Sequence, residues 1–216
     1  MVVTRGRQAS GTKDAIMATA ERLFAEHGVT AVSSRQISEA AGQGNNAAVG
    51  YHFGAKADLI RAIVHRHDVE IERSRRALVE RVGETGDVRA WVECLVLPLT
   101  EHLSAIGRTS WYARFSLQVT TDPVLRQIIT DEIRASAALA RIGEGLLDGL
   151  AALPEEVRRE RFEMVRSLLM HTCADRERAI ADSGEPPNRA WSRTATLLVD
   201  AITGLLLAPD SSKSAP

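Results

Sequence analysis

Apolar side chains recur at helical spacing along almost the whole chain, with Gly or Pro standing where a break is needed. Ile16, Ala20, Leu23 and Phe24 form one stripe, which predicts a helix from about Thr12 to His27 that Gly28 can end. Ser33 followed by Gln36 is a capping-box pattern opening a second helix of about two turns, with Ile37 and Ala40 or Ala41 inward and Gly42 suited to its exit. After Gln43 and Gly44, Asn45 or Asn46 can cap a third helix running Ala47, Ala48, Val49, Gly50, Tyr51, with Val49 inward. Phe53 closes this small core. A long helix follows from about Lys56 to Glu84, ended by Gly83 and Gly86 and carrying Ile60, Val64, His67, Ile71, Leu78 and Val82 on one face. Further helices fit residues 88–105, 110–119, 123–153, 154–182 and 187–207, several opening with Pro at the first helical position. No sustained alternating pattern interrupts them, so the fold class is all-α, with a loose tail at 209–216.

Two helices joined by a glycine-bearing turn are a common way of placing a recognition helix in the DNA major groove. The segment from about 12 to 64 also resembles the N-terminal DNA-binding domain of the TetR/AcrR family of bacterial transcriptional regulators. The resemblance rests on the helix ending at His27-Gly28, on Ile37-x-x-Ala40-Ala41-Gly42, and on Tyr51-His52-Phe53 followed by Lys56 and Leu59. It implies a three-helix helix-turn-helix domain over 1–55, joined to a larger helical effector-binding and dimerisation domain over 56–208. Three departures stand out: a turn between Gly42 and Tyr51 one residue longer than the commonest form, Ala55 where a serine cap is usual, and Gly50 inside the recognition helix. Losing such a cap costs ~1 kcal/mol, and the glycine costs roughly 0.5–1 kcal/mol unless the backbone must approach DNA closely.

Side-chain chemistry selects the expected DNA contacts. Asn can bond bidentately to the edge of adenine, whereas basic groups and amides hold phosphates. Asn46 is the first choice for base readout, Asn45 is equally a helix cap and a base contact, and Ala47 and Ala48 suit thymine methyls. Tyr51 and His52 resemble the family's phosphate-contacting pair, with Lys56 adding charge, and Ser34, Arg35 and Thr30 come behind them. Arg5 and Arg7 lie on a basic arm that either reaches a minor groove or stays disordered without DNA.

In the last two helices, Phe162, Val165, Leu169 and Cys173, then Trp191, Ala195, Leu198, Ile202 and Leu205, recur at three-four spacing. Such stripes ordinarily mean core; following the family resemblance, they are expected to form the homodimer interface. A twofold dimer presents two recognition helices to double-stranded operator DNA and so reads a palindrome. In the middle helices Trp91, Leu95, Leu99 and His102 precede Trp111, Tyr112, Phe115 and Gln118, with Met164, Leu168 and His171 facing candidates from a later helix. Taken residue by residue these read as core anchors; the resemblance makes them an expected pocket for a small apolar or aromatic effector.

Composition narrows the alternatives. With 216 residues and 44% hydrophobic content the chain can bury a sizeable core, and only 4% of it is aromatic. Residues 1–66 hold eight Lys/Arg against five Asp/Glu, or +3, and the remainder carries −4. That describes a local basic face, not a general polyanion coat. Neither a cleavable leader nor a bilayer-length apolar run is read, so a cytoplasmic protein is expected. Cys94 and Cys173 have no metal-ligand spacing and read as buried thiols, with redox sensing the alternative. No catalytic motif, metal site or cofactor is expected, since His102, His171, Cys94, Cys173 and Glu101 are scattered without nucleophile-elbow, phosphate-loop or His-Glu-x-x-His spacing. The reading is thus a ligand-responsive repressor. The alternatives are a regulator of the same fold controlled by a protein partner or by no ligand, and, more remotely, a small-molecule enzyme using the helical core.

Overall fold

A computed structural model of the chain describes residues 3–83 and 87–210, with side chains from residue 11 onward. Among the described residues all regular structure is α-helical: α1 (Val3–His27), α2 (Ser34–Ala40), α3 (Ala48–Phe53), α4 (Lys56–Val82), α5 (Val88–Ile106), α6 (Tyr112–Thr121), α7 (Arg126–Ala135), α8 (Ala137–Gly149), α9 (Glu155–Asp182) and α10 (Pro187–Leu207). The predicted all-α class therefore stands. Gly86 and the tail beyond Asp210 lie outside the described residues.

Two compact units divide the chain. The first comprises Met1–Asp68 with Trp111–Thr130, the second Val69–Ser110 with Asp131–Pro216. The first unit thus takes in more than the 1–55 segment read from the sequence, because α6 packs on α1. Phe115 stacks on Phe24 with ring centres 6.0 Å apart, and Tyr112 stacks on His67 at 3.9 Å. Ile16, Ala20, Phe24, Ile37, Val49, Leu59, Ile60 and Ile63 fill the rest of its core.

A buried polar cluster sits beside this apolar core. Glu21 accepts from Arg66 Nη2 at 2.6 Å and faces His67 Nε2 at 2.9 Å. Removing one member of such a buried set costs more than forming it gains, because the partner is left unpaired. The cluster therefore fixes where α4 lies on α1.

In the second unit α10 packs along α5 and α9, with α8 across α5. One difference from the sequence reading is a break in the helix expected over 123–153. Asp122 Oδ1 accepts from Val124 and Leu125 N–H groups, turning the chain before α7, and Ser136 separates α7 from α8. The Ser136 hydroxyl oxygen accepts from Leu139 N–H at 3.0 Å, capping α8, while its proton goes to Glu72 Oε2 at 2.7 Å. Burial opposes ionisation of Glu72, but hydrogen bonds from Ser136, Arg75 and Arg76 outweigh it and hold the carboxyl below its ordinary range.

The contact of α8 with α5 depends on one missing side chain. A Cβ at Gly145 would lie 2.1 Å from Cε2 of the fully buried Trp91. Gly to Ala inside a helix ordinarily stabilises by roughly 0.5–1 kcal/mol. Here the sign reverses, because the indole has no solvent to move into. Gly145→Ala is expected to destabilise the protein by about 2–3 kcal/mol, as other overpacked cores do, read as a lowered urea midpoint; an unchanged or raised midpoint refutes this packing.

Candidate nucleic-acid interface

Local chemistry alone accounts for α2 and the turn behind it. Ser33 is the N-cap: its hydroxyl oxygen accepts from Gln36 N–H at 3.2 Å, and Gln36 Oε1 accepts from Ser33 N–H at 2.8 Å, completing the predicted capping box. At the other end Gly42 takes φ +68°, with Gln43 N–H bonded to Ser38 C=O and Gly42 N–H to Glu39 C=O. This is a Schellman exit, for which a left-handed glycine is suited.

The α3 helix has six residues and no side-chain cap at Ala47. Asn45 Oδ1 instead accepts from Ala47 N–H at 2.9 Å, which makes Asn45 a turn residue in the free chain and starts the helix one residue later than expected. Ala48 consequently turns inward with Val49 and is buried, so of the two alanines only Ala47 faces out. Ser38 locks the two helices together. Its hydroxyl donates to Ser34 C=O at 3.0 Å and accepts from the buried Val49 N–H at 3.3 Å. Sequence reasoning passed over Ser38; a serine directly after the inward Ile37 was the available signal.

The outward face of α3 is open. Asn46 and Ala47 are exposed, Tyr51 is 82% exposed, and a Cβ on Gly50 would meet nothing within 4 Å. The half-buried His52 ring sits edge-on to Tyr51, with centres 4.9 Å apart. Ser34 is half-buried, and Arg35 is exposed but paired with Glu39 at 2.8 Å, whose hydrogen bond and charge raise the guanidinium pKa. The side chains of Arg5 and Arg7 lie outside the described residues, although α1 runs back to Val3 where a separate arm was expected.

Lys56 has an internal role. Its ammonium donates to Val29 C=O, and to Val32 C=O at 2.6 Å, and lies 5.4 Å from the centre of the Phe24 ring. Burial lowers its pKa. The group expected to add charge for phosphate thus fastens the α1–α2 connection to the start of α4. Behind it, Asp58 Oδ2 accepts from Ala55 N–H at 3.2 Å, taking over part of the capping that Ala55 cannot supply.

The residues expected to line an effector pocket fall in several places. Trp111, Tyr112, Phe115 and Gln118 belong to the first unit, where Tyr112 and Phe115 are buried against His67 and Phe24, and Gln118 is exposed. Trp91 is wholly buried against α8, while Leu95, Leu99 and His102 are half-buried on α5. On α9, Leu168 is half-buried and Met164 and His171 are exposed. The residues expected at a dimer interface are mostly interior: Val165, Leu169, Cys173, Trp191, Ala195, Leu198 and Ile202 are buried within one chain, and Phe162 and Leu205 are half-buried. Burial pushes the Cys173 thiol up to about 12. The apolar surface that α9 and α10 show to solvent is their other face, with Met164 and Leu197 more than half exposed. A groove of about 510 Å³ runs there between Val157, Arg161, Met164, Leu205 and Ala208. Among the described residues no helix is long and apolar enough to cross a membrane, and no group of His, Cys, Asp or Glu is placed to hold a metal.

The helix-turn-helix geometry agrees with a family match: residues 16–63 fit the bacterial regulatory proteins of the tetR family. This chain thus carries a tetR-family segment at its N-terminal end. It is similar to the HTH-type transcriptional repressor AcnR of Corynebacterium glutamicum, 31% identical over 129 residues, which are 58% of this chain and 60% of that protein. The AcnR of Corynebacterium efficiens is 31% identical over 134 residues, 61% of this chain and 63% of the relative. The chain therefore spans less than two thirds of either relative's length. The crystal structure of the TetR family transcriptional regulator PfmR from Thermus thermophilus aligns over 90% of this chain and 95% of that one, at 18% identity and a TM-score of 0.45.

The position of Lys56 in this TetR-family domain leads to a specific expectation. Lys56→Met keeps the apolar stem and removes the donors from two carbonyls, so it should lower stability by about 1.5–3 kcal/mol in denaturant unfolding without DNA present. Unchanged stability shows that the ammonium serves only as surface charge.

Proposed function

We propose that this chain is a DNA-binding transcriptional regulator, a repressor that acts as a homodimer on a palindromic operator and is released by a small apolar or aromatic effector. One observation carries the reading: a six-residue helix bonded to α2 through Ser38, together with the turn that leads into it, presents Asn46, Ala47 and Tyr51 to solvent around an unobstructed Gly50. The open backbone at Gly50 suits close approach to a DNA surface, which answers the helix-propensity cost of a glycine there. Asn46 is assigned base readout, Ala47 a thymine methyl, and Tyr51 and His52 the phosphates. Asn45 is assigned to the turn.

For the dimer, we place the interface on the exposed apolar face of α9 and α10, where Leu197, Ala201, Leu205 and Ala208 recur at helical spacing beside Met164 and Leu168. A second copy seated there would cover the large apolar side chains that this face leaves in water. For the effector, we place the site on the half-buried face of α5 formed by Leu95, Leu99 and His102. Release requires the effector to bind the DNA-incompetent form more tightly, and a tenfold loss of operator affinity needs about 1.4 kcal/mol of that preference.

The test is fluorescence anisotropy of the purified protein on its own upstream intergenic DNA against scrambled DNA across a salt series. Preference for the native sequence with a steep salt dependence is expected, and Asn46→Ala should reduce that preference by roughly 1–3 kcal/mol at one position of each half-site. Equal, weak binding to both DNAs removes the regulator reading; a preference untouched by Asn46→Ala removes only the assignment of that residue. Leu197→Glu is expected to yield monomers in light scattering without loss of helicity, and a variant that stays dimeric places the interface elsewhere.

A further inference from the structure

Between residues 11 and 66 stand six lysines and arginines, and five of them are engaged by the protein itself. Arg22 pairs with Glu26 at 2.8 Å, Arg35 with Glu39 at 2.8 Å, Arg61 with Asp58 at 2.6 Å and Arg66 with Glu21 at 2.6 Å. Lys56 gives its ammonium to the Val29 and Val32 carbonyls. The sixth is Lys13. It is exposed on α1, and among the described residues its recorded contact is with a ring: the ammonium lies 5.9 Å from the centre of Phe53, the last residue of α3.

These pairings change where the positive charge of the interface resides. A guanidinium already beside a carboxylate offers a phosphate a nearly neutral pair, and its counterions are largely displaced before DNA arrives. An ammonium facing only a ring keeps its full charge and its counterion atmosphere, so it can contribute the entropy of ion release when it meets a phosphate. The Phe53 face attracts the ammonium and holds a long, flexible side chain at the carboxyl end of α3. Part of the ordering cost of contact is thereby met in advance. Tyr51 and His52, exposed and half-buried, lie on the same end of the helix.

We propose that Lys13, carried by α1 and steered by Phe53, is a phosphate anchor of the DNA interface, in the role that sequence position alone would give to Lys56. This rests on the DNA-binding reading above, and extends it to a residue outside the helix-turn-helix itself. The contact is with the backbone, so it adds affinity without sequence preference.

The test measures binding of the full-length protein to labelled upstream intergenic DNA and to a mixed-sequence duplex over a salt series. Lys13→Gln should lower the slope of log affinity against log salt by about 0.9 for each subunit engaged, an approximately eightfold loss per subunit near 0.1 M salt, equally on both duplexes. Lys13→Arg should restore the slope. Arg22→Gln removes the same charge from the same helix at a paired position and should leave the slope as it was. An unchanged slope in Lys13→Gln, or an equal fall in Arg22→Gln, overturns the anchor while leaving the regulator reading intact. Absence of salt-dependent binding by the unaltered protein to either duplex overturns both.

Discussion

A helix of six residues cannot hold itself in water, because nucleation costs more than so few hydrogen bonds return. The α3 helix is therefore a structure only by virtue of what it is attached to, and the hydrogen bond from the buried Val49 N–H to Ser38 Oγ is the attachment on which its aim depends. Val49 and Ala48 sink into the core beside Ile37, so one side of α3 is fixed by apolar contact and the other is left clear. A longer helix would be more stable alone, but it would also demand caps and inward contacts that compete for the same outward face. Ser38 also returns its own proton to Ser34 C=O, so the link adds no unsatisfied group to the interior.

The same economy governs charge in the first unit. Lys56 and Glu21 are both drawn inward, one to the carbonyls that follow α1 and the other to Arg66 and His67 of α4. Each substitutes a directional contact for apolar area that a small three-helix head does not possess, and each fixes the angle of one helix on another. The consequence is that basic residues near the reading helix are not interchangeable. Whether a cation can meet a phosphate is decided by its neighbours, not by its distance along the chain from the helix-turn-helix.

Much of the head was legible in the sequence, because its determinants are local. The Ser33 and Gln36 capping box, the Gly42 exit and the stripe through Ile16, Ala20 and Phe24 each involve residues a few positions apart, and each appears where the pattern put it. The break between α7 and α8 was not legible. Ser136 caps α8 while bonded to Glu72, a partner 64 residues away, and nothing near Ser136 announces that contact. Lys56 is a similar case: the sequence places a lysine at the start of a helix, and only the fold shows that its chain reaches back across α1. Asn45 stood open between cap and base contact until its Oδ1 was seen on Ala47 N–H.

The last two helices show a different limit, since periodicity identifies an apolar face but not the body that covers it. Val165, Leu169 and Cys173 repeat at three-four spacing, and so do Leu197, Ala201, Leu205 and Ala208, yet the first set is buried inside the subunit while the second runs from exposed Leu197 and Ala201 to half-buried Leu205 and Ala208. The two sets were separable in principle by their side chains. The interior stripe of α10 is built from Trp191, Leu198 and Ile202, bulky enough to fill space between α5 and α9, whereas the outer stripe includes Ala201, Gly204 and Ala208, which leave backbone close to the surface. Small residues on an outward face admit close approach of another helix, where a large one would hold it off. A helix with both kinds of face turns its bulky side to the interior, because that contact removes the most apolar area from water, and leaves its small residues outside.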